Sequence, residues 1–173
     1  MSAKDKFSIQ LKDNNAFLAK TVFDLHSLIQ AQSDELYLEK NMGFPVSVSS
    51  TLMFLSQYSN VTTMQVATAL NITHQLVSQR IKMLLKLGLI EGKADENDRR
   101  KTLYSLTATG QQKVQVLNLY CIDAANAFSS LSEEVGINLQ SVLNAAIDAL
   151  RKTPFGKRFP TNSSSYDEQL SKP

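Results

Sequence analysis

Tryptophan is absent from this 173-residue sequence, and cysteine occurs once, at Cys121. A single thiol excludes an internal disulfide and a thiolate cluster for zinc. The two histidines, His26 and His74, lie far apart and make a poor metal site, so neither a metal nor a cofactor is expected. No apolar run approaches the roughly 18 residues that span a bilayer, and residues 1–10 lack the apolar centre of a signal peptide. The expected location is the reducing cytoplasm, with no membrane partner. Glycine-rich phosphate loops, a GxGxxG turn and a nucleophile elbow are also missing, so no enzymatic activity is expected. Charge of one sign is scarce too: the net value of +2 does not announce nucleic acid by itself.

What is present is ordinary globular usage, 43% hydrophobic and 20% charged, in a chain whose length suits one domain organised by one core. Residues 1–11 form an N-terminal segment. From about Asp13 to Lys40, Phe17, Leu18, Val22, Leu25, Leu28 and Ile29 recur at three- and four-residue spacing, which predicts a long amphipathic helix. Gly43 and Pro45 break it, and Val48, Leu52 and Leu55 mark a second helix over about Val46–Tyr58. Thr62 and Gln65 have the spacing of a capping box, opening a short helix that buries Val66, Ala67 and Leu70. Asn71 and Ile72 make a tight connection before Thr73, an N-cap for the next helix. A helix, a turn and a helix result.

On a wheel of 100° per residue, Ile81 and Leu84 of the segment His74–Leu87 fall within about 40° of Val77, and the three form its buried stripe. Gln75, Ser78, Gln79, Lys82 and Lys86 fall together on the opposite side, and that face holds no acid. Gly88 supplies the left-handed residue that ends the helix, and Leu89 and Ile90 begin an extended segment. Leu103–Leu106 reads as the returning strand of a hairpin whose loop carries Asp98, Arg99, Arg100 and Lys101. Thr107 then caps a long helix to about Leu131 with Val114, Leu117, Cys121, Ile122, Ala125 and Phe128 on its apolar side. A last helix over about Asn138–Arg151 has its own apolar stripe, which needs a partner and predicts a homodimer. The Pro, Gly and Ser-rich residues 153–173 read as a flexible tail.

The fold class expected is mainly α with a small β-wing: a winged helix-turn-helix region over residues 46–106, flanked by dimerisation helices at 12–45 and 107–152. A helix fits the major groove of B-DNA, where glutamine bonds adenine through both amide atoms and lysine donates to guanine or phosphate. The candidate DNA-binding residues are therefore Gln75, Ser78, Gln79 and Lys82 near the start of the second helix, with His74 against a phosphate or base edge. Lys93, Arg99, Arg100 and Lys101 on the hairpin would hold phosphates or enter a minor groove.

Taken in order, the turn Leu70-Asn71-Ile72-Thr73, the pair Val77-Ser78, the ending Leu87-Gly88-Leu89-Ile90, the triplet Asp98-Arg99-Arg100 and the closing Leu106-Thr107-Ala108-Thr109-Gly110 resemble the MarR family of bacterial transcriptional regulators. The resemblance implies that Thr73 to Lys82 contact DNA, that Arg99 and Arg100 are wing contacts, and that Asp98 orients an arginine through a salt bridge. It implies a dimeric regulator, most often a repressor, on an inverted-repeat operator, and commonly release by a small, often phenolic, ligand or an oxidant. The family more often has an arginine where this chain has Gln79, and an apolar residue where it has Arg80, so no operator sequence carries over.

Other readings of the same residues are kept beside these. A winged domain can serve as a protein-interaction module without DNA, because fold does not dictate function. Tyr37, Tyr58 and Phe17 could line a pocket for a small aromatic effector, although aromatics at helical spacing are more often plain core. Cys121 is read as a buried structural cysteine, since Tyr120 and Ile122 offer neither the exposure nor the positive charge a reactive thiolate needs. His26 is read as packed at an interface.

Overall fold

The computed structural model describes residues 14–159, so the N-terminal segment 1–11 and the tail from residue 160 lie outside the described residues. The chain divides into two compact units, Met1–Tyr120 and Cys121–Pro173. It is mainly helical with one two-stranded antiparallel sheet, the fold class expected from the sequence.

In the first unit a 3-10 turn over Asn15–Phe17, capped by the Asn14 side chain, leads into α1, Leu18–Glu39. Tyr37 alone is buried on α1, its hydroxyl 2.9 Å from Ser49 Oγ and its ring edge-on to Phe44 and Tyr120. After Pro45 follow α2, Ser49–Gln57, then α3, Thr63–Leu70, and α4, His74–Lys86. The hairpin of β1, Ile90–Ala94, and β2, Thr102–Leu106, pairs Ile90 with Leu106 and Ala94 with Thr102. Val61 adds a bridge to Tyr104, so the connection between α2 and α3 lies along the wing's free edge. The core joins Met42, Val48 and Leu52 to Val66, Val77, Leu84 and Leu117.

Helix α5, Ala108–Glu134, leaves the hairpin through a crowded corner. Thr107 Oγ1 donates to Gly88 O at 2.7 Å and accepts from Gly110 N at 3.0 Å, while Thr107 N–H donates to Leu89 O. A Cβ at Gly110 would stand 1.9 Å from Leu89 O, closer than any side chain tolerates against backbone. Only glycine lets α5 start there.

The second unit contains the rest of α5 and α6, Leu139–Lys152, whose first turn is capped by Asn138 accepting from Ser141 N. Order continues past Thr153, where the sequence suggested a tail. Phe155–Arg158 forms a 3-10 turn, and Arg158 donates to Thr153 O and to Ala149 O, two carbonyls at the end of α6. No described residue from Cys121 onward is buried, so the single core expected for the whole chain belongs to the first unit alone.

Candidate nucleic-acid interface

Local rules build the helix-turn-helix. Thr62 accepts from Gln65 N while Gln65 Oε1 accepts from Thr62 N at 2.8 Å, the reciprocal capping box. Asn71 takes a left-handed conformation with φ 51°, and Ile72 N–H reaches back to Ala67 O at 3.1 Å, which turns the chain sharply between α3 and α4. Thr73 then caps α4 by accepting from Leu76 N at 3.2 Å. At the far end Gly88, with φ 66°, lets Leu89 N–H reach Leu84 O and closes α4 before β1.

Val77, Ile81 and Leu84 are buried as the periodicity predicted, and this roots α4 on the core. Its opposite face presents Gln75, Gln79, Lys82 and Lys86, all exposed and none with a hydrogen bond or ion pair among the described residues. Ser78 is half-buried, and its hydroxyl donates to His74 O at 2.9 Å. Thr73 and His74 are more committed than the sequence suggested. The Thr73 hydroxyl serves the cap, and His74 Nε2 lies 2.8 Å from Thr63 Oγ1, tying the first residue of α4 to the first of α3.

The wing tip is a small polar knot. Asp95 N–H donates to Lys101 O and Lys101 N–H to Asp98 O, while Asp98 Oδ1 accepts from Arg100 N–H at 3.2 Å and from Arg100 Nε at 3.0 Å. Lys101 Nζ stands 3.5 Å from the same carboxylate. The Arg100 side chain hydrogen bond, reinforced by its backbone N–H, holds the Asp98 carboxyl below the usual carboxylate range. Arg100 is therefore the arginine that Asp98 orients, its side chain 90% exposed. Arg99 is exposed and has no partner among the described residues, whereas Lys93 sits 3.5 Å from Glu91. One further cation near this interface, marked in the sequence as a departure from the family's pattern, has a partner on another helix: Arg80 is half-buried and donates from Nη1 to Ser50 Oγ at 3.1 Å.

The other singled-out residues separate. Cys121 is exposed, a correction of the buried cysteine expected from its apolar neighbours; Leu117 is the last fully buried residue of α5. His26 is exposed as well. Tyr37 belongs to the core, while Phe17 and Tyr58 are 43% and 54% exposed, so the three do not share one environment. Among the described residues no group of three His, Cys, Asp or Glu side chains could hold a metal ion, and no helix is long and apolar enough to cross a membrane.

Comparison with known proteins places this geometry. Residues 42–101, from Met42 before α2 to the wing tip, match the MarR family. The chain is 33% identical over 100 residues to the transcriptional regulator AdcR of Streptococcus pneumoniae serotype 2, a match covering 56% of this chain and 64% of that protein, just under two thirds of its length. Among solved structures, a MarR protein from Peptoclostridium difficile superposes with a TM-score of 0.64 at 15% identity, covering 82% of this chain and 89% of that one. The transcriptional regulator BldR from Sulfolobus solfataricus does so with a TM-score of 0.60 at 19% identity, covering 88% and 99%. At such identities the superpositions speak for the fold.

Proposed function

We propose that this chain, whose winged-helix segment, residues 42–101, matches the MarR family, is a sequence-specific regulator of transcription, a repressor that binds double-stranded DNA as a cytoplasmic homodimer and carries no enzymatic activity. The observation that carries this reading is the α4 face, where Gln75, Gln79, Lys82 and Lys86 stand exposed and unpaired on a helix whose other side is rooted in the core. Two glutamines able to pair with adenine supply base discrimination, at about 1 to 3 kcal/mol per good bidentate contact. Arg99 and the oriented Arg100 supply affinity, to phosphates or in a minor groove.

The dimer is supported by apolar surface that the single chain leaves open. On α1, Leu18, Val22, Phe23 and Leu28 are between 47% and 63% exposed, and on α6, Val142, Ile147 and Leu150 between 45% and 52%. Two-fold symmetry copied into the operator would give inverted half-sites with centres about 10 base pairs apart. Release from DNA by a small aromatic effector completes the reading.

The test is fluorescence anisotropy with purified protein on a duplex selected from random DNA and on an unselected one, from low to high salt. Binding should weaken steeply with salt. Gln79→Ala should weaken binding to the selected duplex by roughly 5- to 100-fold and leave the unselected one nearly unchanged, whereas Arg100→Ala should weaken both and flatten the salt dependence by about 0.9 in log–log slope. No binding to either duplex at low salt would leave the winged domain as a protein-interaction module.

A further inference from the structure

Arg80 is placed oddly for a residue of α4. Three steps from Val77, it lies about 60° to one side of the buried stripe, away from the base-reading face and on a flank of the helix. Its guanidinium is half-buried, yet the one acceptor it meets is a neutral hydroxyl, Ser50 Oγ at 3.1 Å, and its Nε is buried with no partner. Burial pushes this guanidinium down from its ordinary value, with no carboxylate to offset the loss of water. None is available nearby in sequence either, because no Asp or Glu occurs between Glu39 and Glu91, a stretch that includes all of α2, α3 and α4.

The partner it meets sharpens the anomaly. Ser50 is exposed in the first turn of α2, a helix with no acidic residue in that turn and no side-chain cap. A cation thus stands at the positive end of a helix dipole, where an anion would be favoured. Ser50 Oγ accepts from Arg80, so its own hydroxyl hydrogen remains free to donate, and the Arg80 fork has further N–H groups to give. Two donors side by side, one of them a guanidinium, suit the tetrahedral oxygens of a phosphodiester.

We propose that Arg80 and Ser50 together form a clamp for a phosphate of the DNA backbone, on the wall of the groove that α4 enters. This rests on the DNA-binding reading above. A helix lying in a major groove turns its outer face to the bases and its flanks to the two phosphate strands, and Arg80 lies on such a flank. The clamp gives affinity without sequence preference, and it fixes α4 in register by tying its middle to the start of α2.

The experiment measures the salt dependence of duplex binding for the full chain, for Arg80→Leu, Arg80→Lys and Ser50→Ala, on selected and unselected DNA, with a thermal melt of each. Arg80→Leu should lower the log–log salt slope by about 0.9 on both duplexes, with a melting temperature no lower than the parent's, because an unpaired buried donor has been removed. Arg80→Lys should keep the slope and lose affinity, the charge remaining without the fork, and Ser50→Ala should lose affinity at unchanged slope. If the parent binds steeply with salt but Arg80→Leu keeps its slope, the clamp is refuted and the regulator reading stands; a fall in melting temperature or in self-association at that unchanged slope identifies Arg80 as an internal strut or as the seat of another copy's carboxylate. If the parent shows no salt-dependent binding, both proposals fall.

Discussion

The helix-turn-helix unit and the terminal helices draw on the same material, apolar residues every three or four positions, and end differently. In α4, Val77, Ile81 and Leu84 are at most 2% exposed; in α6, Val142, Leu143, Ile147 and Leu150 are 38% to 52% exposed. Periodicity reports that a helix has an apolar side, and it does not say whether the chain itself supplies what covers that side. A patch of this kind left open on one chain marks an interaction surface. The first region should therefore respond to substitution as a folded core does, and the second as an interface does.

The sharpest way to break that contrast is at the corner where β2 feeds α5. Gly110→Val places a side chain where even a Cβ would stand 1.9 Å from Leu89 O, and Leu89 is itself held by Thr107 N–H and Leu84 O. The expected loss is about 3 kcal/mol or more in urea unfolding, since backbone rather than a flexible side chain must move. Gly156→Ala, with nothing within 4 Å of its Cβ, should change stability by less than about 0.5 kcal/mol. Equal effects at both positions would remove the close approach as the reason for Gly110.

For the terminal helices, Ile147→Asp should leave unfolding of a single chain nearly unaltered, because Ile147 is 46% exposed there. Self-association should weaken more than tenfold in sedimentation, since a two-fold interface receives the buried charge twice. A variant that unfolds without any change in association would move α6 into the same class as α4.

The contrast also explains which parts were legible in advance. The capping box at Thr62, the tight connection at Asn71, the Thr73 cap and Gly88 each follow a rule that acts within six residues, and each stands where the sequence put it. Gly110 was legible only as one letter of a resemblance; its reason, Leu89 O, lies 21 positions away. Cys121 departs from its expectation because the apolar period of α5 continues past Leu117, the last fully buried residue of that helix. The contact of Arg80 was not legible for a related reason, since its partner Ser50 belongs to another helix, and no local pattern announces a contact across 30 positions.

The smallest effect expected concerns the wing tip. Arg100 holds the Asp98 carboxyl below its ordinary value, so ionised Asp98 favours the ordered tip. The sign follows: this contribution is present in full above the ordinary carboxylate value and disappears as pH falls through the lowered value of the folded wing. Between pH 7 and pH 5 the tip should accordingly stay as it is, and any change in DNA affinity over that window must originate elsewhere. Carbon-detected NMR should place the Asp98 titration below the ordinary carboxylate value in the parent, and back near that value in Arg100→Ala. Asp98 and Arg100 are both at the surface, where water and salt screen such pairs, so Asp98→Asn should reduce DNA affinity only a few-fold. An Asp98 that titrates normally in the parent would mean that nothing orients Arg100 before DNA arrives, and the wing would then resemble the terminal helices, completed by its partner.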